Sequence, residues 1–215
     1  MQEPEPQRIG IIADSHGNLG ATKEAIRLLM GRGAGLLVHL GDFCDSLRHD
    51  SVPAMIDLMR QNSVLAVKGN NDFIEENRLA DSRRPPDAEG GKTLAFLRAT
   101  PVVRIRGAIR FAHSLPFDRL RAFYEPIDEG DTRRAEALFI EADFRILFCG
   151  HSHLPILFRK AGERVTREAV PTGRPLALEQ KARYIFIAGA VADGECALYD
   201  EAAGTYERLQ LGSGL

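Results

Sequence analysis

Short apolar runs alternate with amphipathic stretches through the first third of the chain. Residues 8–13 (Arg-Ile-Gly-Ile-Ile-Ala) are almost continuously apolar, the pattern of a strand covered on both faces. A helical period follows over about 19–30, with Ala25, Leu28 and Leu29 on one side, and Gly31-Arg32-Gly33 stops it. Residues 36–40 predict a second buried strand ending at Gly41-Asp42, and a helix follows over about 52–60. A third strand, 64–67, ends at Gly69-Asn70-Asn71-Asp72. Strand–helix–strand–helix–strand order predicts parallel strands joined by right-handed crossovers, and so an α/β layered fold.

The middle of the chain is less regular. Residues 75–93 are polar, with Arg83-Arg84-Pro85-Pro86 and Glu89-Gly90-Gly91, and predict a variable loop or lid reaching to about residue 100. Residues 102–105 and 109–112 read as a strand pair turning at Gly107, and residues 132–141 as a helix. Residues 145–149 form another buried run, ending in Gly150-His151-Ser152-His153. Antiparallel strands are expected at about 155–160, 164–170, 184–190, 195–199 and 205–210, with a hairpin at 201–204. The C-terminal half would then supply a second, mixed sheet, giving a two-sheet sandwich flanked by helices.

Composition narrows the class. The chain has 215 residues, 28 basic against 30 acidic side chains and a net charge of −2, which argues against a nucleic-acid or membrane-surface partner. At roughly 100–200 residues per domain, one domain over 1–215 is expected. The longest apolar stretch, Tyr184 to Ala192, has a strand's length and argues against a transmembrane helix. Met1 to Gln7 is acidic and proline-bearing, without the apolar core of a secretory signal. Three scattered cysteines (Cys44, Cys149, Cys196) do not make a disulfide framework, so a reduced, cytoplasmic protein is expected.

The informative pattern is positional. The five expected buried strands end in Asp14 and His16, in Asp42, in Asn70, in His113, and in His151 and His153. In α/β sheets, loops at the carboxyl ends of strands converge on one crevice, so these oxygen and nitrogen donors are expected to meet. Such a set suits borderline divalent metals (Mn, Fe, Zn, Co or Ni) and not a sulfur-rich structural zinc site.

Asp14-Ser15-His16, Gly41-Asp42-Phe43-Cys44-Asp45, Gly69-Asn70-Asn71-Asp72, His113 and Gly150-His151-Ser152-His153 occur in the order seen in calcineurin-like metallophosphoesterases. The resemblance runs from Ile9 to about Val191 and points to the compact prokaryotic, phosphodiesterase-type branch. It implies a four-layer αββα sandwich of two mixed sheets with two divalent ions at its rim, manganese foremost for activity. By position, one metal would take Asp14, His16 and His153, the other Asn70, His113 and His151, with Asp42 bridging them. The implied chemistry is hydrolysis of phosphodiester or phosphoanhydride bonds by a hydroxide between the ions, on a small phosphate ester or nucleotide-type substrate. Homo-oligomer formation is left open.

Two departures from the family pattern stand out. The commonest third motif has a histidine where this chain has Asn71, and an amide cannot act as an acid. The resemblance implies Asn71 and Asp42 as the catalytic positions, with Asn71 pointing to good leaving groups or an acid supplied from elsewhere. The fourth motif usually reads histidine-glycine, but here it is His113-Ser114. Two divalent ions bring +4 against −2 from Asp14 and Asp42, leaving about +2 to draw in an anionic ester. Histidines bind metal as neutral imidazoles, so activity is expected to decline well below their reference pKa of about 6.5.

Plainer readings exist for single residues. Asp14-Ser15 also suits a helix cap, and Gly41, Gly69 and Gly150 suit turns. His39 and His49 read as structural or solvated, and Cys44 and Cys149 as core fillers. Asp45 and Asp72 are candidates to orient ligand histidines, although Asp45 serves equally to start the next turn. Asp14, Ser15 and His16 are too close in sequence to form a serine-hydrolase triad. Arg83, Arg84, Arg119, Arg121, Arg133 and Arg134 suit either substrate phosphates or a solvated surface. The competing function is a catalytically weak, metal-binding scaffold of the same fold used for protein–protein assembly.

Overall fold

Alternation along β1 (Arg8–Ile12) sets the layers. Ile9 and Ile11 point one way, into a cluster with Val38, Phe111, Phe148 and Phe186; Ile12 points the other way, toward helices. The computed structural model describes residues 7–212 other than 82, 84, 85 and 129. The chain continues through α1 (Leu19–Gly31), β2 (Leu36–His39), α2 (Val52–Gln61), β3 (Leu65–Ala66), α3 (Asn70–Ala80) and α4 (Ala88–Ala99). The strand pair β4 (Val103–Arg106) and β5 (Ile109–Ala112) precedes α5 (Arg133–Glu141) and β6 (Ile146–Cys149). Six strands complete the chain: β7 (Ile156–Ala161), β8 (Arg164–Ala169), β9 (Leu176–Ala177), β10 (Arg183–Ile187), β11 (Glu195–Asp200) and β12 (Thr205–Gln210).

These strands form two six-stranded mixed sheets, ordered β3-β2-β1-β11-β12-β9 and β4-β5-β6-β10-β7-β8. The parallel pairs expected from the first third are present, with Ile9 opposite Leu36 and Val38 opposite Leu65. The inner faces meet in an aromatic stack where the Phe186 and Tyr206 rings lie 4.1 Å apart. Each such buried ring contributes about 1.5–3 kcal/mol. On the outside of the first sheet, Leu37 packs with Ala25, Leu29, Met55 and Leu97 of the helices. Outside the second, Leu147 and Ile185 meet Leu138 and Phe139 of α5. The layers are therefore helix, sheet, sheet, helix, as the resemblance implies.

Two expectations are corrected. Much of the polar segment read as a loop is helical, in α3 and α4. Its polarity misleads because the buried face of α3 carries Asp72 and Glu75 beside Leu79. Asp87 caps helix α4, its side chain accepting from the Gly90 amide at 2.8 Å, and the helix buries Thr93 and Leu97. Arg84 and Pro85 lie outside the described residues. The C-terminal strands also do not form one sheet by themselves. Strand β10 runs parallel to β6, with Tyr184 opposite Ile146, whereas β11 crosses to the first sheet and pairs Arg8 with Asp200. Among the described residues, no helix is long and apolar enough to cross a membrane.

Candidate metal centre

The loops leaving β1 and β2 stay hydrogen-bonded beyond the strands. The amides of Asp14, His16 and Gly17 donate to the carbonyls of Gly41, Asp42 and Phe43 at 3.0–3.1 Å. The backbone there adopts conformations that L-residues avoid. Asp14, His16, Asp42, His151 and His153 all have positive φ, between 43° and 75°. Such strain costs on the order of 1–3 kcal/mol per residue and is retained where surrounding structure enforces it. Here it turns donors from separate loops toward one point.

Two donor groups result. His16 Nε2 lies 3.1 Å from His153 Nε2, and His153 Nε2 lies 3.7 Å from Asp14 Oδ1. On the other side, Asn70 Oδ1 lies 2.9 Å from His113 Nε2 and 3.0 Å from His151 Nδ1. Asp42 Oδ1 is 3.5 Å from His113 Nε2. The donor atoms of Asp14, His16 and His153 fall within 4.8 Å of one another, as do those of Asp14, Asp42 and His113. All seven donors singled out in the sequence thus surround one small space, with the two carboxylates between the flanking groups.

Hydrogen bonds behind the rings fix their tautomers. His113 Nδ1 donates to the Leu40 carbonyl at 2.9 Å, leaving Nε2 a free lone pair toward Asn70. His153 Nδ1 faces the Asp193 carboxylate at 3.2 Å, which leaves Nε2 for the centre. The His151 ring hydrogen-bonds the backbone of Tyr124. His39, read as structural, is fully buried behind the centre: it accepts from the Gly41 amide and donates from Nε2 to Ser15 Oγ at 2.8 Å. Sequence reasoning misses Asp193, since it lies in a turn after β10 and meets His153 only in space.

Asn71 and Asp72 build the bridge position. The Asn71 amide donates to Asp42 Oδ1 at 2.8 Å, and its side-chain Nδ2 donates to Asp42 Oδ2 at 2.6 Å. A carboxylate offers about four lone-pair directions, so one on each oxygen remains. Fully buried Asp72 accepts from the amides of Asp42, Cys44 and Gly69 at 2.8–2.9 Å, tying the loops after β2 and β3 together. Asp45 takes the plainer of its two readings. It accepts from the Leu47 amide and Arg48 Nε, at 2.8 and 2.7 Å, starting its own turn instead of orienting a ligand histidine.

The electrostatics suit a cation. Burial, with the Asp42 charge next, pushes the Asp14 carboxyl well above the usual carboxylate range. Burial and Asp42 likewise raise Asp72, against the lowering effect of the Cys44 and Gly69 amides. Burial lowers His16 and takes His151 down to about 4, so these imidazoles are neutral donors at neutral pH. The acid limb that histidine protonation would cause therefore shifts below the reference value for His151. Protons displaced by metal should come mainly from Asp14. Near pH ~6, manganese loading is expected to release protons, seen as calorimetric heats that scale with buffer ionisation enthalpy. Heats independent of the buffer would contradict the raised Asp14.

Four of the arginines share one place: Arg119, Arg121, Arg133 and Arg134 line a cavity beside α5. Arg83 is exposed and pairs with Asp81, the solvated reading. His49 Nδ1 lies 2.7 Å from buried Glu75, away from the donor set. Cys44, Cys149 and Cys196 are free and buried, as core fillers are.

A solved metallophosphoesterase from Sphaerobacter thermophilus is similar to this chain at 25% identity and a TM-score of 0.72, over 97% of this chain and 90% of that one. TT1561 of Thermus thermophilus shares the fold at 14% identity and a TM-score of 0.53, over 97% and 100% of the two chains. An archaeal phosphodiesterase does so at 15% and 0.53, over 95% and 99%. No curated protein matches the chain. The sequence description of the calcineurin-like phosphoesterase superfamily domain matches residues 8–171, a span that holds all seven donors. The family implies divalent metal ions, the donor set has the chemistry to hold them, and this chain belongs to the calcineurin-like phosphoesterase superfamily.

Proposed function

We propose that the protein is a dinuclear metal-dependent phosphoesterase that hydrolyses phosphodiester or phosphoanhydride bonds, with manganese as its most effective metal. The observation that carries this reading is the pair of donor groups that share Asp14, one with His16 and His153 and the other with Asp42 and His113. Asp14, His16 and His153 would hold one ion and Asn70, His113 and His151 the other, with Asp42 between them. Two divalent ions so held lower the pKa of a shared water and polarise the phosphoryl oxygens. Asn71 fixes the Asp42 carboxylate through both of its donors, Asp193 orients His153, and the Leu40 carbonyl orients His113. The free, buried cysteines agree with a reducing, cytoplasmic setting.

Asn71 also shapes substrate choice. Its amide bonds the bridge carboxylate and has no proton to give a departing alkoxide. Leaving groups that depart as stable anions are favoured, which supports activated diesters and anhydrides over simple monoesters. The test is hydrolysis of bis-p-nitrophenyl phosphate with added manganese, beside a diester with an alkyl leaving group. Asn71→His should raise turnover of the alkyl diester by roughly 10²-fold, the lower range of general acid catalysis. It should change the nitrophenyl diester far less. An equal effect on both would remove Asn71 from leaving-group selection. Bound metal without hydrolysis of either ester would favour the scaffold reading.

A further inference from the structure

The segment that follows His113 builds a second, separate feature. Side chains from the segment 115–125 and from α5 border an open cavity of about 440 Å³. Four guanidinium groups (Arg119, Arg121, Arg133 and Arg134) line it together with two carboxylates, Glu125 and Glu141. Glu125 is shared: it pairs with Arg134 at 2.6 Å and also with Arg121. Arg133 reaches the exposed Asp131. Arg119 lies over the Phe117 ring at 4.7 Å, and among the described residues it has no carboxylate partner. Planar guanidiniums clustered in this way, with Arg119 held over a ring and not by a carboxylate, are suited to phosphate oxygens, which they bind two at a time.

The cavity is tied to the metal centre by the chain itself. Ser114, which stands where the family's usual motif has glycine, donates its hydroxyl to the Glu125 carbonyl. Tyr124 bonds the His151 ring. Glu125 in the cavity wall thus follows the residue that bonds His151, and its carbonyl meets the residue that follows His113, consecutive residues being about 3.8 Å apart. From α5, Arg133 and Arg134 enter on a rigid support. The Arg183 guanidinium donates to the carbonyls of Phe139, Ala142 and Phe144, at 2.6–2.7 Å, locking the helix C-terminus.

We propose that this cavity binds a further phosphate group of the substrate, beyond the one that is cut, so that the substrate class is a small molecule carrying several phosphates. This rests on the phosphoesterase reading for its link to catalysis, but the binding stands on the arginines alone. Calorimetric titration of inorganic triphosphate into the full chain, with EDTA in excess, separates the cavity from the metal centre. Arg119→Gln and Arg133→Gln alter different elements at the surface, and each is expected to weaken triphosphate binding roughly tenfold or more, as loss of a charge-assisted hydrogen bond does. Arg27→Gln, at an exposed position of α1, serves as the control for general charge loss and should leave binding as in the parent. Equal affinities across the parent and both cavity variants, or no binding by the parent, would overturn the proposal. Triphosphate binding through these arginines in a protein that hydrolyses no nitrophenyl diester would overturn the phosphoesterase reading and leave the cavity assignment standing.

Discussion

Replacing Asp42 with asparagine is expected to lower manganese-supported hydrolysis of bis-p-nitrophenyl phosphate by about a thousandfold. Asp42 lies between the two donor groups, and Asn71 leaves each of its oxygens one direction free. Asparagine has a single acceptor oxygen and no charge, so it cannot serve both sides. Metal ions supply several kcal/mol of transition-state stabilisation, and loss of about 4 kcal/mol corresponds to ~10³ in rate. The same substitution should have the opposite effect on the metal-free fold. Asp42 is the main charge raising Asp14, so its neutralisation removes a repulsion between buried carboxyls. The melting temperature in EDTA is expected to rise while activity collapses. A fall in both would mean that Asp42 acts through folding alone.

Gly41→Ala should cost more stability than any conservative change on the surface. Gly41 has φ of +93°, and an added Cβ would lie 2.8 Å from both the Gly69 nitrogen and His113 Nδ1, and 2.9 Å from the Gly69 Cα. Two of those neighbours are backbone, so relief requires the loop after β3 to move away from the loop after β2. Those loops carry Asp42 and Asn70, and His113 is itself a donor, so metal binding should weaken along with the fold. A loss of about 3 kcal/mol, in the range that marks a named structural fault, lowers the melting temperature by roughly 6–12 °C in a chain of this size. Gly107→Ala separates conformation from collision. Gly107 also has positive φ, +55°, but nothing lies within 4 Å of its would-be Cβ. Its expected cost is about 1 kcal/mol, that of the left-handed backbone alone. Equal losses at the two positions, read by thermal melts, would show that crowding around Gly41 is unimportant.

Much of this architecture is legible in the chain because the strands are covered on both faces. Continuous apolar runs such as 9–12 and 146–149 are too short for a core helix and read as buried strands, and the polar residues that follow them stand at the centre. Helices α3 and α4 are hidden for the converse reason. Asp72 and Glu75 occupy the buried face of α3, where their partners are amides and charged groups, and Gly90-Gly91 weakens the helical signal of α4. The crossing of β11 to the first sheet depends on pairing with residues almost 200 positions away, such as Arg8 with Asp200, and no local pattern announces it. Contacts made only in space are equally silent: Asp193 behind His153, and the Glu125 carbonyl that receives Ser114. The positive φ values at Asp14, His16, Asp42, His151 and His153 fall on non-glycine residues, so composition cannot reveal them. Asp45 is ambiguous in the sequence, and the bond to Arg48 decides it.

Crystals soaked in manganese and measured for its anomalous scattering put the convergence of these donors to the most direct test. Two peaks are expected, about 3.5–4 Å apart. One should be ligated by Asp14, His16 and His153, the other by Asn70, His113 and His151, with an Asp42 oxygen on each. Manganese at other surface carboxylates, with these seven side chains left without it at saturating concentration, would contradict a dinuclear centre and the hydrolysis attributed to it.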